Sequence, residues 1–66
     1  MSVAKITEIS ATSEKSFDDA VRQGLARAST TLKNITGAWV NEMKVDCENG
    51  QIIRFRVIMK VTFVLE

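Results

Sequence analysis

The sequence contains no histidine, no proline and no tyrosine, and it has one cysteine and one tryptophan among its 66 residues. The single cysteine, Cys47, excludes an internal disulfide, and the missing histidines argue against a structural zinc site. Without histidine, general acid–base catalysis would depend on Asp, Glu or Lys, and a Cys–His nucleophile is excluded. No Gly-rich phosphate loop is present either. We therefore expect a protein that is not an enzyme and has no catalytic residues.

The charge balance and the apolar runs limit the partners of the chain. A formal net charge of +1 argues against a nucleic-acid-binding protein, which normally carries a basic patch or stripe. No apolar run approaches the roughly 20 residues of a membrane span, and the first ten residues lack the apolar core of a signal peptide. A lone thiol also fits a reducing compartment. We expect a cytoplasmic protein.

The length of the chain predicts one small domain, spanning residues 1–66. A domain of this size buries only about 60% of the surface that its unfolded chain exposes. Small domains commonly gain stability from disulfides, a bound metal or a partner subunit. Because the composition disfavours the first two, we expect a homo-oligomer.

One amphipathic helix is predicted after residue 15. The stretch Ser16–Asp19 resembles a capping box, in which the Ser16 hydroxyl accepts the backbone N–H of Asp19 and the Asp19 carboxylate reaches back. Gly24 lies inside the helix, where we expect close packing against a neighbouring element, and Gly37 is expected to end the helical region. Apolar residues at steps of three or four define the buried face: Phe17, Val21, Leu25, Ala28, Leu32 and Ile35.

Three strands accompany this helix. Residues 3–11 and 38–47 are rich in strand formers, and residues 51–66 alternate so regularly that every odd position from Ile53 to Leu65 is apolar. Asn49-Gly50 is a strong signal for a two-residue hairpin turn between the last two strands. The order strand, helix, strand, strand predicts an α+β fold with one helix packed on a three-stranded antiparallel sheet.

The hairpin turn also predicts which side chains face away from the helix. A two-residue turn pairs Glu48 with Gln51 and, further along, Trp39 with Lys60. The predicted outward-facing set is Trp39, Met43, Val45, Ile52, Arg54, Arg56, Ile58 and Lys60. Such a patch indicates an interface or a ligand groove. The same register places Glu42 and Lys44 on the helix side, against apolar residues. A bulge in one strand would shift the register and turn the affected side chains to the opposite face.

Several polar residues admit two interpretations. The basic row of Arg54, Arg56 and Lys60 fits either a solvated sheet face with ion pairs between subunits or the recognition of an anionic or planar polar ligand. The acidic and amide residues near the hairpin, Asp46 among them, fit turn solvation or a weak divalent-cation site. Trp39 fits either core packing or a stacking surface for a flat ligand.

Over essentially its full length the chain resembles the dodecins. The resemblance is carried by the stretches ISATSEKSFDDAVRQGLARASTTLKNITGAW and FRVIMKVTFVLE, which appear in that order in a chain of this length. Within them lie the helix entry T-S-x-x-S-F, the run ARASTTL at Ala26–Leu32 and the pattern M-K-V-x-F-x-L at Met59–Leu65. The resemblance implies a hollow homododecamer that stores or sequesters flavins (riboflavin, FMN or FAD) and is not an enzyme.

The resemblance also implies a binding site between subunits. Trp39 matches the tryptophan whose ring, with that of a second subunit, sandwiches a pair of flavins and quenches their excited state. Arg56 matches a position where many flavin-binding dodecins carry a glutamine that bonds the flavin edge. Lys60 and Arg54 are further candidate cofactor-binding residues, and no metal ligand is predicted. The alternative is a dodecin-shaped shell that binds coenzyme A or a divalent cation, as some relatives do, or serves only as an assembly.

Overall fold

The computed structural model describes residues 3–65. These residues form β1 (Val3–Ser13), α1 (Phe17–Ala28), β2 (Ile35–Glu48) and β3 (Gln51–Leu65). The three strands make one antiparallel sheet in the order β1-β3-β2, and α1 packs on β1 and β3. The predicted fold class and element order are confirmed, although Glu66 of the predicted third strand lies outside the described residues. The side of the sheet that carries α1 is called the helix-side face, and the opposite side is called the outer face.

The core lies between α1 and the central strand β3. Val57, Met59 and Val61, three alternate residues of β3, are fully buried together with Ala20 of the helix. A Cβ atom placed on Gly24 would lie 2.9 Å from both the Ala11 Cβ and the Met59 Cε atoms. The close packing predicted at Gly24 is therefore confirmed, because a side chain there would overlap its neighbours.

The helix begins as predicted, but one of its two capping bonds differs. The Ser16 hydroxyl accepts the Asp19 backbone N–H at 2.9 Å. The Asp19 carboxylate instead accepts the Ser13 hydroxyl at 2.6 Å and the Gln23 side-chain amide at 2.6 Å. The Ser13 oxygen in turn accepts the Lys15 backbone N–H at 2.9 Å, so the end of β1 is tied to the start of the helix.

The helix ends at Ala28, and the prediction that it continues to Gly37 is wrong. Gly37 lies in β2, and Leu32 and Ile35 are outside the helix. Three hydroxyls donate to backbone carbonyl oxygens three residues earlier: Ser29 to Ala26 at 2.7 Å, Thr30 to Arg27 at 2.8 Å, and Thr31 to Ala28 at 3.3 Å. Because such hydroxyls compete for backbone groups, they favour the end of a helix. Asn34, with a φ of 63°, then leads the chain into β2.

The hairpin turn is confirmed, since Asn49 and Gly50 both adopt positive φ, 54° and 77°. Glu48 pairs with Gln51 and Trp39 with Lys60, as predicted. Between these pairs, two register shifts displace the pairing by one residue and then restore it. The first shift lies between Val40 and Glu42, and the second between Asp46 and Cys47.

Because of these two register shifts, part of the predicted outer face is wrong. Met43 pairs with Val57 and Val45 with Phe55, so both lie on the helix-side face rather than the outer face. Glu42 and Lys44 move to the outer face in exchange. The physical reason is that a shift of one residue turns every side chain of the segment to the opposite face, so apolar Met43 and Val45, rather than Glu42 and Lys44, lie beside Val57 and Phe55 of β3.

The chain is elongated rather than compact. Its principal extents are 51 × 19 × 14 Å and its radius of gyration is 13.5 Å, whereas a compact domain of this length has about 11 Å. Its accessible surface is 4927 Å², against about 4,200 Å² for a folded monomer of this mass. The single chain thus leaves more surface in water than a compact domain does.

Candidate functional site

Trp39 lies on the outer face, and 74% of its surface is exposed. It pairs with Lys60 of β3, which pairs with Glu8 of β1, so these three residues form a row across the sheet. The helix lies on the other face, so it does not cover this row. Core packing is thereby excluded for Trp39 within one chain, and its indole is a flat apolar surface open to a partner or a ligand.

Arg54 and Arg56 share one counter-ion, Asp46. The Arg54 Nε and Arg56 Nη2 atoms donate to the same Asp46 oxygen, Oδ2, at 3.1 and 2.9 Å. The Lys44 Nζ atom lies 4.0 Å from the other carboxylate oxygen, Oδ1. The hydrogen bond from Arg56, followed by that from Arg54, lowers the pKa of the Asp46 carboxyl group below its ordinary value. Asp46 is therefore an ionised partner of two arginines and not merely a solvated turn residue.

The four candidate cofactor-binding residues fall into two pairs on the outer face. Trp39 and Lys60 are opposite each other, while Arg54 and Arg56 are joined through Asp46. Arg56 precedes Lys60 by four residues of β3, or about 13 Å along the strand. A ligand stacked on Trp39 can therefore meet Arg56 only if it extends along β3.

A small cavity of 170 Å³ lies between the two pairs. It is lined by Glu42, Met43, Lys44, Arg56 and Ile58. Glu42 pairs with Ile58, and Lys44 pairs with Arg56, so acidic and basic side chains alternate along this part of β2. The lining residues thus include two apolar side chains, two cationic hydrogen-bond donors and one carboxylate acceptor.

Sequence reasoning missed Glu42 and Lys44 as residues of this face. The available signal was the conflict in the regular register, which set both charges against apolar residues of β3. A bulge resolves that conflict, but the alternation of β2 alone does not show where the bulge lies.

Two larger hollows, each of 390 Å³, flank the helix. One is lined by residues of β1 and α1, including Ile9, Gly24 and Arg27, and the other includes Ser13 and Asp19 at the helix start. Neither includes Trp39 among its lining residues. Among residues 3–65, no group of three or more acidic or thiol side chains is arranged to hold a metal ion.

The chain is a small β-α-β-β protein whose one indole, that of Trp39, is exposed on the sheet face opposite the helix. The family model named Dodecin matches residues 3–66, and the chain belongs to the dodecin family. Within the described part of the chain, no helix has the length and apolar character needed to cross a bilayer.

Solved structures agree with this assignment. The dodecin of Streptomyces davaonensis is 38% identical, with a TM-score of 0.94 and coverage of 98% of this chain and 96% of that one. The dodecin of Streptomyces coelicolor is 34% identical, with a TM-score of 0.93 and coverage of 98% and 93%.

A calcium dodecin from Mycobacterium tuberculosis is also similar. It is a calcium-chelating immunodominant antigen with a novel calcium-binding site, and it is 28% identical at a TM-score of 0.83, with 97% of this chain and 91% of that one covered. No curated protein matches the chain in sequence.

Proposed function

We propose that this dodecin binds flavins in the cytoplasm as a storage or sequestering protein and catalyses no reaction. The observation that carries the proposal is the exposure of Trp39, 74%, on a sheet face that the helix does not cover. An isoalloxazine is a large, flat, polarisable ring, and it can stack on an indole over a wide contact area.

One chain supplies only one wall of such a site. In a two-fold interface the same surface patch of both subunits meets, so a second Trp39 would face the first. The two indoles would then form a slot that holds a stacked pair of flavins. The small core and the elongated shape of the chain support an assembly, and the proposed form is the hollow homododecamer.

The basic residues around the slot suit the polar parts of a flavin. Lys60 lies directly opposite Trp39, and Arg56 lies further along β3. Lysine and arginine donate hydrogen bonds but accept none, so both can bind the ring carbonyl oxygens or the phosphates of FMN and FAD. Riboflavin, FMN and FAD all carry the ring that Trp39 would stack on.

The proposed role is protective rather than catalytic. Stacking brings an electron-rich indole against the excited flavin, which quenches it and suppresses its photochemistry. The carboxylate of Asp46 is engaged by two arginines and is therefore not free to act as a general base.

A second candidate function is a dodecin shell that does not use flavin. The observation that favours it is the cluster of Lys44, Arg54 and Arg56, in which three cations surround one carboxylate. The excess of positive charge suits an anionic cofactor such as coenzyme A. Because a related dodecin binds calcium, a divalent cation is another ligand to consider under this second candidate. The remaining form of the candidate is a shell that binds no ligand.

Ligand-dependent thermal stability separates the two candidates. A ligand at 100 times its Kd stabilises the folded state by about 2.7 kcal/mol, which raises the unfolding temperature. We expect riboflavin and FMN to raise it for the wild type and not for Trp39→Ala. The matched control is Ile52→Ala, another exposed apolar residue of the same face, which should respond like the wild type. Stabilisation by coenzyme A or calcium, with none by flavins, would favour the second candidate.

A further inference from the structure

The polar edge of a flavin needs an acceptor as well as donors. The pyrimidine edge of isoalloxazine is an imide, in which one N–H lies between two carbonyl groups. Arg56 and Lys44 can donate to the carbonyl oxygens, but neither can accept from the N–H. A site built only from these cations would leave that N–H without a protein partner, which weakens binding wherever water is excluded.

Glu42 is placed to supply this acceptor. The register shift after Val40 puts Glu42 on the outer face, where it pairs with Ile58. It lines the 170 Å³ cavity together with Arg56 and Lys44. Along β2 it comes after Trp39 and before Lys44 on the same face, so it lies between the stacking surface and the basic cluster.

The other carboxylates of the outer face are less suited. The Asp46 oxygen Oδ2 already accepts from both arginines, and its side chain is 18% exposed. Glu8 lies on β1, on the far side of Lys60 from Trp39. Within residues 3–65, no hydrogen bond or ion pair engages the exposed Glu42 carboxylate.

We propose that Glu42 accepts the imide N–H of the bound flavin, while Arg56 and Lys44 donate to the adjoining carbonyl oxygens. The inference rests on the proposed flavin function and assigns to Glu42 the selectivity for ligands with an intact imide. Glu42 thereby provides the acceptor that Arg56 cannot provide.

The test compares two ligands that differ only at this N–H. Riboflavin and riboflavin methylated at the imide nitrogen are titrated against the full-length wild type, Glu42→Ala, Glu42→Gln and Glu48→Ala. Glu48 is the matched control, since it is an exposed glutamate of the same strand at the hairpin end. Circular dichroism establishes that each variant is folded.

We expect the wild type to prefer riboflavin by about tenfold, as befits one hydrogen bond to a charged acceptor near the surface. Glu42→Ala should bind both ligands with similar affinity, while Glu48→Ala should keep the wild-type preference. Glu42→Gln should retain most of it, because the amide oxygen also accepts.

Two results would overturn the assignment while leaving flavin binding intact. One is a wild type that binds both ligands equally, and the other is a Glu42→Ala variant that keeps the full preference. Failure of the wild type to bind either ligand would instead refute the proposed function, and the assignment of Glu42 with it.

Discussion

At the residue scale, Asp46 shows how one carboxylate organises a basic surface. Its Oδ2 atom accepts hydrogen bonds from Arg54 and Arg56, two residues that alternate along β3 and would otherwise repel each other. The carboxylate holds both guanidinium groups against the outer face. Arg56 is therefore held in one orientation, which would reduce the entropy lost if it binds the proposed ligand.

The lowered pKa of Asp46 predicts how stability changes in acid. A folded-state pKa below the unfolded value means that the unfolded chain binds the proton more readily. The stabilisation is therefore complete above the ordinary carboxyl pKa and is lost as the pH falls through the lowered one. We expect Asp46→Asn to be less stable than the wild type at neutral pH, with the difference shrinking as the solution becomes acidic.

Urea unfolding at a series of pH values measures this difference. Glu48→Gln is the control, since Glu48 lies in the same strand near the hairpin turn and should show little effect at any pH. An Asp46→Asn variant as stable as the wild type at neutral pH would contradict the role given to the carboxylate.

At the element scale, the start of the helix could be predicted from sequence and its end could not. The start depends on a local hydrogen bond from the Asp19 backbone N–H to the Ser16 hydroxyl. These two residues are three positions apart, so the sequence alone shows the capping pattern. The end depends on the hydroxyls that follow Ala28 and on β2, which begins at Ile35 because it pairs with β3. Apolar spacing continued past the true end because Leu32 and Ile35 happened to fit it.

The faces of the candidate site residues could also be predicted only in part from the sequence. The Asn49-Gly50 turn allowed the outer-face position of Trp39 to be predicted, because the two register shifts cancel before that residue. Between the shifts, the faces of Met43 and Glu42 were predicted wrongly. A bulge depends on the partner strand, so a single strand's pattern does not locate it.

The helix cap gives a prediction at this scale. Ser16→Ala removes the acceptor of the Asp19 N–H and should cost about 1 kcal/mol of unfolding free energy. Ser29→Ala is the control, because its exposed hydroxyl only donates to the Ala26 carbonyl at the helix end. Denaturant unfolding of both variants measures the two costs. An equal loss of unfolding free energy in the two variants would contradict this prediction, because it would show that the Ser16 cap gives no specific stabilisation.

At the scale of the whole molecule, the elongated shape and the small buried core of the chain predict self-association. Native mass spectrometry should detect a dodecamer of the 7.3 kDa chain. Its thermal unfolding temperature should rise with protein concentration, because subunit association stabilises the folded state by mass action. A protein that stays monomeric across the micromolar range would contradict this expectation. It would also mean that no second Trp39 ring completes the proposed slot.

The central claim is that paired Trp39 rings hold and quench flavin, and flavin fluorescence tests it most directly. Riboflavin is titrated with the wild type, with Trp39→Ala and with the control variant Ile52→Ala. We predict that saturating wild type and Ile52→Ala quench the emission strongly and that Trp39→Ala does not. Full emission at saturating wild-type protein, or equal quenching by Trp39→Ala, would contradict the account.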